Sequence, residues 1–297
     1  MIKITHFDHI STASENQERE IDLFTNFFGF QIRTEWHSDE GFYGVGFNVP
    51  GKDRVGWELL VPDNNESFLT GFLKKNKGPG IHHVSMQIPS AEEAIHNLES
   101  LNIQPVITKG EGHHNVYLHP KRGGAGLLFQ LFEGEAWNNP DLPEPTFKKN
   151  INSVGIKRIH HLAQAVIDEA SVEARYEKLF GYKSIMRGPR KTSNEFVTNV
   201  LETQTKEIHW ELISSINDDS FIKKFLNERG EGPHHVTFIV NDWKQAMRAC
   251  KNREIEPFEF YENTINNSKY IECFLHPRDM AGMLVQLVWE EKEGIWI

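Results

Sequence analysis

The sequence predicts an α+β protein of four βαβββ units in two tandem domains, each domain a cupped mixed β-sheet. Two observations predict this: a long internal repeat, and short strands alternating with single amphipathic helices in the same order in each half. The repeat is plainest where "GWELLVPDNNESFLTGFLKKNKGPGIHHVSMQI" (residues 56–88) aligns with "HWELISSINDDSFIKKFLNERGEGPHHVTFIV" (residues 209–240). Both read Trp-Glu-Leu, an acidic Asn-containing stretch with Ser-Phe, a short amphipathic helix, a Gly and His-His-Val. Upstream, "FDHIST" matches "IHHLAQ", and downstream "YLHPKRGGAGLLFQLFE" matches "FLHPRDMAGMLVQLVW". The spacing from copy to copy is 152 residues for His9 and His161, 153 for Glu58 and Glu211, 152 for His83 and His235, and 156 for Gln130 and Gln286. Four anchors that hold one spacing within a few residues make a duplication.

The elements follow in order. His9 lies in an opening strand, and a helix is expected at about residues 15–28, stopped by Gly29. Three short strands end in "GWELLVP". The second unit of this copy restarts at "GIHHVSMQI" and continues into a helix, "SAEEAIHNLESLN". There Ser90 is the N-cap and Glu93 stands at the capping-box spacing. Three more strands end in "LLFQLFE". In the second copy, helices are expected at about residues 168–180 and 242–253, the latter capped by Asn241. The stretch between the copies holds Pro140, Pro143 and Pro145, which suits an extended linker. The expected boundaries are therefore domain 1 at residues 1–135, a linker at 136–154 and domain 2 at 155–297.

Composition narrows the functional classes. In 297 residues, 38% hydrophobic and 11% aromatic content is enough for packed cores. A net charge of −10 argues against nucleic acid or an anionic membrane as partner. Two cysteines, Cys250 and Cys273, are too few for a disulfide framework and fit a reducing compartment. The start, "MIKITHFDHIST", has no charged and apolar leader pattern, and no apolar run approaches the ~18 residues of a membrane helix. The expected location is cytoplasmic.

Strand alternation then singles out a constellation. Neighbouring strand residues face apart, so His9 and Asp8 point to opposite sides, Glu58 points away from Trp57 and Leu59, and only one of His82 and His83 faces the inside of a cup. Gln130 is a polar residue between large apolar ones, costly to bury without partners. One His, one Glu, one His and one Gln per copy, each on a different strand, are able to converge. Imidazole and carboxylate donors suit Fe(II), Mn, Co, Ni or Zn, and two His with one carboxylate leave coordination positions free. Taken singly, each of these residues has a structural explanation. Their joint repetition favours a divalent-metal site. His119 and His276, each followed by a proline, look like strand-exit turns. His113 and His114 have no counterpart in the second copy.

The order of these motifs, from "DHI" through "WELLVP" and "GIHHVSMQI" to "VYLHPKRGGAGLLFQL", resembles the vicinal oxygen chelate superfamily of glyoxalases, methylmalonyl-CoA epimerases and extradiol dioxygenases. It is most similar to the epimerases, and the tandem arrangement is similar to the ring-cleaving and 4-hydroxyphenylpyruvate dioxygenases. The resemblance implies metal ligands at His9, Glu58, His83 and Gln130, and at His161, Glu211, His235 and Gln286, leaving His82 and His234 facing away. Epimerases and glyoxalases usually carry Glu where this chain has Gln130 and Gln286, and the epimerases' middle-strand acidic base falls near Gly44.

The expected function is a divalent-metal-dependent isomerase, epimerase or lyase that acts on a small 2-oxo or thioester substrate through a metal-stabilised enediolate. Glu58 and Glu211 are the expected catalytic residues, supplying charge balance and proton transfer. One alternative is an Fe(II) ring-cleaving or 2-oxo-acid dioxygenase, and another is a non-catalytic small-molecule-binding protein. A small-molecule substrate is the expected partner, with a homodimer left open and neither nucleic acid nor membrane involved.

Overall fold

A computed structural model describes residues 1–110, 113–137, 139, 143–189 and 195–295, without the side chains of residues 109, 110, 113 and 189. Pro140, and with it part of the expected linker, lies outside the described residues, as do residues 111 and 112 beside His113.

The first copy runs β1 (His6–Ala13), α1 (Gln17–Asp22), β2 (Gln31–Ser38), β3 (Phe42–Asn48) and β4 (Gly56–Pro62). It continues through α2 (Phe68–Asn76), β5 (Gly80–Gln87), α3 (Ala91–Ser100), β6 (Val106–Gly110), β7 (His113–Leu118) and β8 (Leu128–Glu133). The second copy repeats the order with β9 (Ile156–Ala165), α4 (Glu169–Phe180), β10 (Lys183–Pro189), β11 (Phe196–Glu202) and β12 (His209–Ser215). Then come α5 (Phe221–Arg229), β13 (Gly232–Val240), α6 (Trp243–Asn252), β14 (Phe258–Ile265), β15 (Ser268–Leu275) and β16 (Leu284–Glu290).

Each copy forms one curled eight-stranded sheet, in the orders β2-β3-β4-β1-β5-β8-β7-β6 and β10-β11-β12-β9-β13-β16-β15-β14. The outer pairs are antiparallel, while β12 with β9, β5 with β8 and β13 with β16 are parallel. The sheets are therefore mixed, as the sequence predicted.

The helix expected at about residues 15–28 proves to be in two parts. Asn16 caps α1 by accepting from the Arg19 N–H. Beyond Asp22 the chain widens into a π turn, Leu23–Phe27, closed by the Phe28 N–H to the Leu23 carbonyl at 3.0 Å. Phe24, Phe27 and Phe28 are all buried there, and a π turn is a recognised helix irregularity. Asp242, not Asn241, caps α6, through the Gln245 N–H.

Contacts divide the chain into two compact units, residues 1–9, 83–139 and 161–234 in one and residues 10–82, 140–160 and 235–297 in the other. The core of the first is aromatic: Phe129, Tyr176, Phe180, Tyr182 and Trp210 meet at centroid distances of 5.2–6.1 Å. Gln164 is fully buried among them. Its amide donates to the Gly124 and Ala125 carbonyls and accepts from the Tyr176 hydroxyl and the Trp210 indole N–H. The core of the second unit gathers Phe24, Phe28, Phe30, Phe47, Trp57 and Phe238. There the Trp57 indole N–H donates to the Thr12 hydroxyl at 3.0 Å.

The Ala-Gly step before the last strand of each copy is a matched device. Gly126 has φ +89°, and a Cβ there would fall 1.7 Å from the Glu231 carbonyl oxygen; at Gly282, φ +76°, it would fall 1.9 Å from that of Pro79. Only glycine fits either position. Cys250 and Cys273 are free and buried. No helix among the described residues is long and apolar enough to cross a membrane.

Two candidate metal centres

The two-residue period of a strand builds each site. In β4 and β12, Trp57 and Trp210 point into the aromatic cores, fully buried, so Glu58 and Glu211 must point to the other face, into the cup. Register carries this face across the sheet. Glu58 pairs with Gly46 on β3. Glu211 pairs with Val200 on β11 and Ala163 on β9, and His161 pairs with His209. Across the parallel pairs, His83 meets Leu128 and His235 meets Leu284, while Gln130 and Gln286, two residues further on and on the same face, meet Ser85 and Thr237.

His9, Glu58 and His83 form one cluster of buried donors, and His161, Glu211 and His235 form another. In each, the donor atoms lie within 4.8 Å of one another.

In the first cluster the His9 and His83 rings meet edge to face at 5.5 Å. The Nδ1–H of His9 donates to Asp8 Oδ2 at 2.7 Å, which puts the lone pair of the ring on Nε2. The Trp137 indole stacks on His9 at 4.7 Å and 19°. The Ser11 hydroxyl donates to Glu58 Oε2 at 2.5 Å. Trp36 lies against Gly44, where a Cβ would come within 2.3 Å of the indole, so a side chain at position 44 would have to displace the Trp36 ring from this wall of the cup.

In the second cluster His161 Nε2 stands 3.3 Å from Glu211 Oε2, and the Thr198 hydroxyl donates to Glu211 Oε1. The pairing of large and small is different here. Thr198 faces Gly188 on β10, and the space over Gly188 is open. The Phe274 ring meets His235 edge to face at 5.6 Å.

The glutamines are tied to their neighbours. Gln130 Nε2 donates to Asn115 Oδ1 at 3.2 Å. Gln286 Oε1 accepts from the Thr237 hydroxyl at 2.7 Å, and its Nε2 donates to Glu272 Oε2 at 3.2 Å.

His82, His234, His119 and His276 stand apart from the clusters. His82 lies against Phe68 and Phe72 of α2, and His234 against Phe221 and Phe225 of α5, each on the face away from its cluster. Burial pushes the His82 imidazole down to about 4, so it is neutral at physiological pH. The Nδ1 atoms of His119 and His276 accept from the backbone N–H groups of Lys121 and Arg278, capping short 3₁₀ turns.

Sequence reasoning missed Asp8 as the orienting partner of His9, and it missed Ser11, Thr198 and Glu272. The "DH" step and the lone Glu in the otherwise apolar "YIECFL" were the available signals.

Two imidazoles and one carboxylate are a donor set for a divalent cation. Donors about 2.1 Å from one ion stand roughly 3–4 Å apart, and His161 Nε2 and Glu211 Oε2 are already 3.3 Å apart. His9 is also oriented through its second nitrogen, as metal-binding histidines usually are.

The family model described as "Glyoxalase/Bleomycin resistance protein/Dioxygenase superfamily" matches twice, at residues 8–117 and 160–271. The mitochondrial methylmalonyl-CoA epimerase of Dictyostelium discoideum is 32% identical over 136 residues, which cover 44% of this chain and 80% of that protein. The Mus musculus enzyme of the same name is 29% identical over 133 residues, covering 43% of this chain and 73% of its own length. Among solved structures, a mutant 4-hydroxymandelate synthase from Streptomyces coelicolor superposes with a TM-score of 0.72 at 12% identity, covering 98% of this chain and 93% of that one.

Proposed function

The chain belongs to the glyoxalase/bleomycin resistance protein/dioxygenase superfamily, and on that premise we propose a divalent-metal-dependent isomerase, epimerase or lyase that acts on a small 2-oxo or thioester substrate. The observation that carries this is the doubled His–Glu–His cluster. The epimerases among the relatives support the reaction class.

His9, Glu58 and His83 hold one ion in this reading, and His161, Glu211 and His235 the other, with Gln130 and Gln286 as the fourth positions. Bound there, a divalent cation (Fe, Mn, Co, Ni or Zn) supplies Lewis acidity toward the oxygens of the substrate. The protein does the rest. Glu58 and Glu211 are the proposed catalytic residues. Each accepts the proton released from the carbon beside the carbonyl, and the Ser11 and Thr198 hydroxyls hold the two carboxylates in place. The six His and Glu donors are buried. The domain boundaries are proposed at residues 1–135, 136–154 and 155–297, the location as cytoplasmic and the partner as a small molecule. Each cluster is complete within one chain, and a homodimer is compatible with that.

A second reading has one specific support. Two His and one carboxylate are also the facial triad of Fe(II) oxygenases, which makes a ring-cleaving or 2-oxo-acid dioxygenase the alternative. The test incubates metal-loaded protein in D₂O with methylmalonyl-CoA, 2-oxo acids and catechols. Deuterium incorporation without oxygen, abolished in Glu58→Gln/Glu211→Gln protein that still binds metal, supports the isomerase or lyase. Iron-dependent oxygen uptake supports the dioxygenase instead. Binding of a panel member with neither reaction reduces the chain to a carrier.

A further inference from the structure

The two copies differ at one cup-face position in a way that bears on chemistry. Glu272 on β15 pairs with Val288, and Phe274 pairs with Gln286. Glu272 therefore shares a sheet face with Gln286 and, through the Gln286–Thr237 pairing, with His235. It is a carboxylate with only 5% of its surface exposed. The same register in the first copy, where Asn115 pairs with Phe132 and Tyr117 with Gln130, puts Asn115 in its place. The Asn115 amide oxygen accepts from Gln130 Nε2 at 3.2 Å, just as Glu272 accepts from Gln286 Nε2 at 3.2 Å. A neutral amide thus meets the hydrogen-bonding need of the glutamine, and that need does not call for a charge at position 272. Burying a carboxylate is costly, so its presence asks for another role.

Strand order indicates the role. Glu211 on β12 lies on one side of the central strands β9 and β13, and Glu272 on β15 lies on the other. A reaction that inverts a stereocentre by proton transfer needs one group to remove a proton from one face and a second to deliver one to the opposite face.

We propose that Glu272 is the second acid–base residue of the C-terminal site, opposed to Glu211, and that this site is built for inversion while the N-terminal site, with Asn115, has a single base. This rests on the isomerase reading above. One carboxylate takes the proton, and the C–H electron pair moves into the carbon–carbon double bond of the enolate. The other, entering as the carboxylic acid, gives its proton to the opposite face and restores a C–H bond. One proton is taken and one given, no oxidant or reductant is needed, and the pair resets by exchange with solvent.

The test uses the full chain loaded with Co(II) and each enantiomer of methylmalonyl-CoA in turn in D₂O, following inversion and deuterium incorporation separately. Glu272→Gln, and Glu272→Asn as the residue the first copy tolerates at this position, should lower inversion about 100-fold or more. Deuterium incorporation into the enantiomer whose proton faces Glu211 should fall by less than about tenfold, since Glu211 still removes that proton, and the Co(II) absorption spectrum should be unchanged. Inversion at the wild-type rate in both variants overturns the proposal. So does an equal loss of both processes with an altered spectrum, which would make Glu272 a support for the ligand set. Wild-type protein that neither exchanges nor inverts overturns the isomerase reading itself and this inference with it.

Discussion

His161 and Glu211 face one another across neighbouring parallel strands, Nε2 to Oε2 at 3.3 Å, with both side chains almost wholly removed from solvent. The contact follows from register, since His161 pairs with His209 and Glu211 with Ala163, one alternation further along the same face. In the first sheet the corresponding Glu58 carboxylate is engaged by the Ser11 hydroxyl. The two clusters thus share a set of donor residues and differ in what holds the carboxylate.

Trp137 makes the first site visible by fluorescence. Its indole stacks on His9 at 4.7 Å, so Co(II) or Ni(II) at His9 should quench it. Titration of wild-type protein should show a quench that Trp137→Phe lacks in large part. Equal quenching in the two proteins would separate Trp137 from the metal.

Gln164 is a stability keystone by its hydrogen bonds. Gln164→Leu removes an amide that serves two carbonyls, one hydroxyl and one indole N–H, all buried; the Tyr176 hydroxyl and the Gly124 carbonyl keep one another at 3.1 Å, so the Ala125 carbonyl and the Trp210 indole N–H bear the loss. Each group left unsatisfied costs about 1–3 kcal/mol, without strict additivity. Urea unfolding should show a loss of roughly 3 kcal/mol or more.

Glu20 should work against the fold at neutral pH. It is fully buried, and burial raises its carboxyl pKa against the lowering effects of Arg19 and the Ser14 hydroxyl. A raised folded pKa gives stability that is present at low pH and lost as pH rises through that value. Glu20→Gln should therefore be more stable than wild type at pH 8, by on the order of 1 kcal/mol. The gap should close as the pH falls toward 4, as measured by thermal unfolding across pH.

His82 acts in the opposite sense. Its folded pKa is lowered from 6.5 to about 4 by burial, so the unfolded chain takes up a proton first as the pH drops. The stability it contributes is present above pH 6.5 and is lost between 6.5 and 4. His82→Phe, set among Phe68 and Phe72, should flatten that part of the acid limb by about 1–3 kcal/mol.

Much of this was legible in the sequence, for reasons particular residues make plain. Trp57-Glu58 and Trp210-Glu211 announce a strand with one apolar and one polar face, and the duplication shows which polar residues recur. The pair His82-His83 was not decidable by alternation alone, because the choice depends on Phe68 and Phe72 of α2, which lie against one of the two. Glu272 escaped because repetition was the filter and its counterpart is Asn115. The π turn after Asp22, where Phe24, Phe27 and Phe28 are all buried, leaves no mark in a 3.6-residue pattern.

The most direct measurement is the number of divalent ions bound per chain, by Co(II) titration with elemental analysis, in wild-type, His9→Ala and His161→Ala protein. Two ions in the wild type and one in each variant is the predicted result. No saturable binding, or binding that neither substitution changes, would contradict the assignment of a metal to each His–Glu–His cluster.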